Sequence, residues 1–262
     1  MFILNRKLKN IFSKLIVLIF WAAVYQCISM AVGKELLLPD LRSVIQALVF
    51  EGTKVDFWLT VSFSILRVVA GFLSAVIFGT ILAALCYRFR LCQIVFYPLI
   101  SAIRSIPVAS FIILALLWIK SGFVPAFIAF LMVLPLVWGN VYQGLSQTDK
   151  GLIEMADIFE FGAGKKLWLI YVPQCLPYFR TACVTGLGFA WKSAIAAEVI
   201  SVPAMSIGRK LYESKIYIET PELFAWTLTV AVLSFFAENV MKLIFNKLRF
   251  KSEIEKAEQK EV

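Results

Sequence analysis

Long apolar runs separated by short charged stretches organise this 262-residue chain. Leu15 to Val32 is eighteen residues without a charge, preceded by Arg6, Lys7, Lys9 and Lys14. That is longer than the ~7–15 residue core of a signal peptide, and no small-residue cleavage site follows, so it reads as an uncleaved first span. Further apolar runs cover about 57–87, 91–119, 123–145, 178–202 and 222–245. The pattern predicts an all-α membrane protein of about six transmembrane helices, in a span region of 15–246. A basic segment, 1–14, precedes it and a charged tail, 247–262, follows it.

Local signals add detail. Gly71, Ala75, Gly79 and Ala83 recur every four residues and make a small-residue ridge on the second span, where another helix can approach closely. The third segment is interrupted by Pro98, Arg104 and Pro107, and Pro125 and Pro135 predict a kink in the fourth. A break at membrane depth is tolerated where it is buried in protein or lines a watery cavity. Residues 34–56 and 206–220 read as external loops, each with a short amphipathic helix.

The longest polar segment between spans is 149–173. Asp149 is placed to cap a short helix, on which Leu152, Met155, Ala156 and Phe159 share one face. Glu154, Asp157 and Glu160 form an acidic stripe beside that face. Gly162 and Gly164 are expected to end the helix, because a C-cap often needs positive φ. Leu167, Ile170 and Tyr171 make the next apolar face, which Pro173 is expected to close. Such an amphipathic pair lies at the membrane surface, and its apolar face wants a protein partner.

Composition narrows the class. The chain is 61% apolar and 16% charged, with a mean hydropathy of +0.84. A soluble domain carries about 25% charged residues, so the chain is polytopic. A net charge of +9 would suggest nucleic acid in a soluble protein. Here the bases flank spans, and the loops sharing the N-terminal side hold about twice the Lys and Arg of the opposite loops. The positive-inside rule puts both termini and the 149–173 loop in the cytoplasm. Five scattered cysteines suggest neither a disulfide framework nor a metal site, and the absence of histidine excludes His-based catalysis and ligation.

The 149–173 stretch resembles the EAA loop of ABC importer membrane subunits. That pattern reads Glu-Ala-Ala, three residues, Gly, nine residues, Ile, one residue, Leu-Pro. Starting at Glu154, the count lands on Ala156, Ile170 and Pro173, while Met155, Val172 and Glu160 stand where the pattern has Ala, Leu and Gly. Over about 38–245 the chain is similar to nitrate/sulfonate/taurine-type permeases. The similarity includes Leu38-Pro39, Arg104-Ser105-Ile106-Pro107, and Ala190-Trp191-Lys192 to Ala197-Glu198-Val199.

The resemblance implies a type I importer permease of MetI-like architecture in the bacterial plasma (inner) membrane. It implies a second copy of the chain, two ABC ATPase subunits carrying ATP and Mg, and a solute-binding protein on the external face. Glu154, Met155, Ala156, Asp157, Phe159, Glu160, Gly162 and Gly164 would couple to the ATPase. No cofactor is expected in the chain itself. Its nearest approach to a P-loop, Gly162 to Lys166, has Phe159 where the first Gly is needed and Lys166 where Ser or Thr is needed.

Arg67, Arg104, Lys192, Glu198 and Glu238 are costly charges within spans, at about 2.5–3.5 kcal/mol each. Arg67, Arg104, Lys192 and Glu198 either line a pathway for an anionic solute or pair between helices. Lys192 and Glu198, six apart, do not face each other on one helix. The alternative function is a stand-alone transporter driven by an ion gradient. No internal repeat supports it, and it leaves the 149–173 loop without a role.

Overall fold

The structure, a computed structural model, describes the backbone of residues 2–258 and the side chains of residues 12, 16, 17 and 19–246. The side chains of the basic cluster Arg6, Lys7, Lys9 and Lys14 and of the 247–262 tail lie outside that description. The described chain is helical: α1 (Phe2–Val32), α2 (Leu41–Gly52), α3 (Val55–Arg88), α4 (Arg90–Ser105), α5 (Val108–Ala115), α6 (Val124–Ser146), α7 (Lys150–Ile158), α8 (Ala163–Lys166), α9 (Val172–Ser201), α10 (Ile207–Ile216) and α11 (Thr220–Glu258). A π-helical turn, Leu167–Tyr171, joins α8 to α9.

Among the described residues, four helices are long and apolar enough to cross a membrane: Val55–Arg88, Val124–Ser146, Ala163–Ser201 and Thr220–Asn246. The pair α4–α5 makes a fifth if taken as one broken span, bent by 103°. The expected first span falls in α1, whose described apolar part, Ile19–Val32, is shorter than a full crossing. Six spans are therefore not reached by the described residues.

The break in the third segment sits at one place. Pro98 lies inside α4 and does not end it. The bend comes at Ile106, which is extended (ψ 132°) because Pro107 excludes its helical conformation. Pro173 does not close a helix either. It stands at the start of α9, just after the π turn, where a missing N–H costs little. The fifth span and the second coupling helix are thus one continuous rod from Ala163.

The chain forms two compact units. The first comprises residues 1–59 and 210–231. Here Tyr25 donates to the Pro39 carbonyl at 2.8 Å, and Ser29 donates to Asp40 Oδ1 at 3.1 Å. Thr220 donates to the Leu36 carbonyl at 2.8 Å, and Phe57 lies 4.9 Å from Trp226. The two amphipathic helices expected in the external loops are α2 and α10. Lys210 on α10 bonds Asp56 Oδ2 at 2.9 Å, and that bond pushes its pKa up.

The second unit comprises residues 60–209 and 232–262. Its core is α6 against α9. Ile128, Val133 and Val137 on α6 are fully buried, and α9 carries a line of small buried residues, Ala182, Gly186, Ala190 and Ala194, at four-residue spacing. A Cβ on Gly186 would lie 3.1 Å from Val133 Cγ1. The ridge on α3 packs here too. Ala75 and Ala83 are fully buried, and a Cβ on Gly71 would lie 2.7 Å from Ala129 Cβ on α6. Close approach of backbones is the use of such ridges in lipid, where no hydrophobic force drives helices together.

Candidate functional site

The 149–173 segment folds as a capped helix, a tight turn and a second helix. Asp149 Oδ1 accepts from the Gly151 N–H at 2.8 Å and so caps α7, as its position implies. The end of α7 differs from expectation. Gly162 has φ −61°, and the left-handed residue is Glu160, at φ 54°. Glu160 N–H donates to the Asp157 carbonyl at 3.0 Å, and Phe161 N–H donates to the Ala156 carbonyl at 2.8 Å. These bonds make a Schellman motif with Glu160 at the position that usually holds Gly. This is the slot where the EAA pattern places its glycine, so the turn geometry follows the pattern and the residue does not. Gly162 and Gly164 do not supply the positive φ. Gly162 instead opens α8 as its extended N-cap residue.

Lys166 on α8 donates to Asp157 on α7, which clamps the two helices together. Lys165 lies 5.7 Å above the Phe161 ring. Ala156 is fully buried and Ile170 nearly so, and these anchor the pair. Met155, Ile158 and Phe159 are exposed, with Ile158 at 79% and Phe159 at 68%. Glu154 and Glu160 are also exposed. Helical phase missed Ile158, because the face chosen was centred on Ala156, which points inward. Trp168 and Leu169 are exposed beside them, where the expected face named Leu167, Ile170 and Tyr171. The π turn shifts the register at that point, and no sequence signal announces it.

The four candidate pathway residues separate into two groups. Arg67 and Glu198 are committed to protein partners. Arg67 Nη1 lies 3.1 Å from Glu198 Oε1. Arg67 Nε donates to the Gly122 carbonyl at 3.2 Å. Its Nη1 and Nη2 donate to the carbonyls of Met205 at 3.0 Å and Ala204 at 2.9 Å. Glu198 Oε2 accepts from Ser64 Oγ at 2.9 Å and from the Gly208 N–H at 3.1 Å. A buried ion pair persists when its remaining donors and acceptors are satisfied, and this one is. The sequence left open whether these charges line a pathway or pair between helices, and Arg67 and Glu198 pair across α3 and α9. Ser64 and Gly208 were not singled out from sequence, since nothing local marks a partner so far away in the chain.

Arg104 and Lys192 are exposed. Arg104 Nη2 donates to the Pro135 carbonyl at 2.7 Å, and the side chain lines a cavity of about 360 Å³ with Asn140, Met132, Leu136, Ile106 and Phe189. A Cβ on Gly139 would lie 2.7 Å from Arg104 Nη2, so this glycine makes the room. Glu238 is separate from both groups. It pairs with Lys242 at 3.7 Å, and Gly188 leaves space for its carboxylate. Among the described residues, no group of three or more His, Cys, Asp or Glu side chains could hold a metal ion.

Comparison with known proteins agrees with this geometry. The family described as "Binding-protein-dependent transport system inner membrane component" matches residues 75–250. A probable ABC transporter permease protein of Brucella melitensis is 25% identical over 71% of this chain and 75% of its own length. The Bacillus subtilis protein SsuC, named as an aliphatic sulfonates transport permease, is 24% identical over 71% of this chain and 67% of its own. A solved amino acid ABC transporter chain shares the fold, with a TM-score of 0.54 and 15% identity over 80% of this chain and 94% of that one. The chain belongs to the inner-membrane-component family of binding-protein-dependent transport systems, and its architecture is that of an all-α ABC transporter permease.

Proposed function

From that membership we propose that the chain is the permease subunit of an ATP-driven importer. Two copies form the translocation pathway, and each receives one separate ABC ATPase, which carries the ATP and Mg. Both termini and the 149–173 loop face the cytoplasm, and a solute-binding protein delivers cargo to the opposite face. The cargo is a small oxyanion of the sulfonate, taurine or nitrate kind. The chain itself catalyses no reaction.

The observation that carries this reading is the α7–turn–α8 unit. It is a rigid, doubly clamped pair that exposes Met155, Ile158 and Phe159 beside an acidic edge. Apolar side chains held outward on a stiff mount suit an anchor into a partner's groove. Because α8, the π turn and α9 are continuous, movement of this anchor would pass directly into a membrane span. ATPase closure would then drive a rigid-body switch between inward-open and outward-open states.

The test is capture of the ATPase encoded nearest to this gene by detergent-solubilised protein, comparing wild type with Glu154→Arg. Capture by wild type and its loss in the variant supports the reading. A well-folded wild type that holds no ATPase moves the assignment to a transporter driven by an ion gradient.

A further inference from the structure

A pocket of about 610 Å³ opens where the end of α3 meets α8 and the π turn. Tyr87 and Arg88 line it from α3, Leu145 from α6, and Lys166, Leu167 and Tyr171 from the coupling side. The Tyr87 and Tyr171 rings stand edge to face at 5.9 Å and join the two sides. Two of the lining side chains are cations and none is an acid. Arg88 is exposed at the last position of α3. Among the described residues its guanidinium has no hydrogen bond or ion pair, and it rests 5.8 Å from the centre of the Phe89 ring. Lys166 gives one N–H to Asp157, which lies outside the lining, and an ammonium has three to give.

The outer face of α3 continues this pocket toward the bilayer. Ala84, Ile81 and Ile77 run back along the helix from Arg88, each three or four residues from the last, so the four residues share one face. That face is opposite the ridge of Gly71, Ala75, Gly79 and Ala83 that packs on α6. Ile81 and Ile77 are both more than half exposed. A basic mouth lined by two tyrosines, residues that favour headgroup depth, thus runs into an apolar stripe along the span.

We propose that this pocket binds an anionic phospholipid of the cytoplasmic leaflet, with Arg88 and Lys166 on its phosphate and an acyl chain along Ile81 and Ile77. The site goes beyond the permease reading and takes from it only the cytoplasmic placing of this end of α3. Three features select the ligand. A basic pocket between spans suits a lipid headgroup, and a guanidinium can contact a phosphate with two parallel bonds. The apolar stripe gives a chain-bearing phosphate a contact that a soluble phosphate cannot use. The lining holds no acid, so the ammonium of a zwitterionic headgroup would find no partner there. The volume lies within the ~300–1,000 Å³ usual for ligand sites. A lipid held by both cations ties the end of a span to the coupling unit.

The experiment is native mass spectrometry of the full-length permease in detergent, titrated with phosphatidylglycerol or with phosphatidylethanolamine of the same acyl chains. Phosphatidylglycerol binds the more tightly, at one preferred site per chain. Arg88→Gln weakens it roughly tenfold or more, as loss of a charged hydrogen bond does. Arg90→Gln removes the same charge two residues on, outside the lining, and leaves most of the affinity in place. Glycerol 3-phosphate in large excess does not displace the lipid. Thermal midpoints of the same samples show which variants are folded, and the comparison of the two lipids on wild type needs no variant. Equal affinity for the two lipids, or full affinity in a folded Arg88→Gln protein, would overturn the site. Equal losses in the two arginine variants would reduce it to diffuse surface charge, and displacement by glycerol 3-phosphate would give it to a soluble phosphate; either result rejects the lipid assignment. The ATPase is absent from the measurement, so ATPase capture combined with no lipid preference rejects this site and leaves the permease reading standing.

Discussion

Arg67 Nη1 and Glu198 Oε1 lie 3.1 Å apart inside the protein, joining α3 to α9 across 131 positions of sequence. Arg67 also holds the carbonyls of Gly122, Ala204 and Met205, so one side chain gathers two loops and two helices. The loop it holds carries positive φ at Val202 (45°) and Met205 (47°), a costly conformation for residues with a side chain. Breaking this pair exposes the difference between a charge that lines a path and one that builds structure. Arg67→Leu leaves the Glu198 carboxylate buried without its cation and destabilises the permease by about 3–5 kcal/mol. Adding Glu198→Leu recovers a large part of the loss. Thermal unfolding in detergent checks this, and equal midpoints for the single and double variants would count against it.

Glu198→Gln keeps the shape and the acceptor for Ser64 but removes the charge opposite Arg67. Insertion into the membrane survives, while transport changes because the loop at 202–208 is held less firmly. Normal uptake kinetics in a correctly inserted variant would sink this prediction.

Glu160 occupies a left-handed turn position at φ 54° that favours glycine. Left-handed backbone costs a side-chain-bearing residue about 1–2 kcal/mol, and glycine's added freedom when unfolded returns part of that. Glu160→Gly therefore stabilises the turn by up to about 1 kcal/mol. Proteolytic nicking between residues 159 and 164 slows in the variant. Faster nicking would contradict the Schellman assignment.

Gly71 faces α6 so closely that a Cβ would overlap the Ala126 carbonyl and the Ala129 side chain. Gly71→Ala forces α3 away from α6 and costs about 1–3 kcal/mol. Gly122→Ala, where nothing lies within 4 Å, is the control and leaves the thermal midpoint unchanged. Matching midpoints for the two variants would show that the α3 ridge is not a contact surface.

Ile158 is 79% exposed and contributes little to the fold. Ile158→Ser therefore shifts stability by no more than about 0.5 kcal/mol, the usual range for surface changes. It reduces ATPase capture at least about tenfold, since exposed apolar anchors dominate such interfaces. Undiminished capture would place the anchor elsewhere on the loop.

The hydrogen bond to Asp56 holds the Lys210 pKa above its ordinary 10.5. A raised lysine pKa means that the folded state binds its proton more tightly than the unfolded state does. The stabilisation is thus fully present below 10.5 and is lost as pH rises through the raised value. Both side chains are partly exposed, so the effect is small. The midpoint difference between wild type and Lys210→Met should stay level across neutral pH and shrink in strong alkali. A difference that grows with alkali would reverse the sign.

The amino-acid pattern by itself determined the solvent in which the fold lives, most of its helices and the place of its coupling loop. Apolar runs near the thickness of a bilayer leave the backbone no option but helix, because no water is present to satisfy its polar groups. The limits of α3 and α6 follow to within about two residues. The α3 ridge, the Asp149 cap, and the helices α2 and α10 were all legible, because each depends on neighbours close in sequence. Longer-range features were not legible. Pro98 and Pro107 look alike as breakers, yet only Pro107 marks the bend, and Pro173 continues a helix it was expected to close. Glycines at 162 and 164 advertise a left-handed turn that Glu160 makes instead, since the hydrogen bonds of Phe161 and Glu160 choose the site. Arg67, Arg104, Lys192 and Glu198 are indistinguishable as charges in apolar runs. Only tertiary structure separates the buried pair from Arg104 at its cavity, because the cost of a charge in a membrane depends on what surrounds it, and those surroundings come from helices distant in the chain.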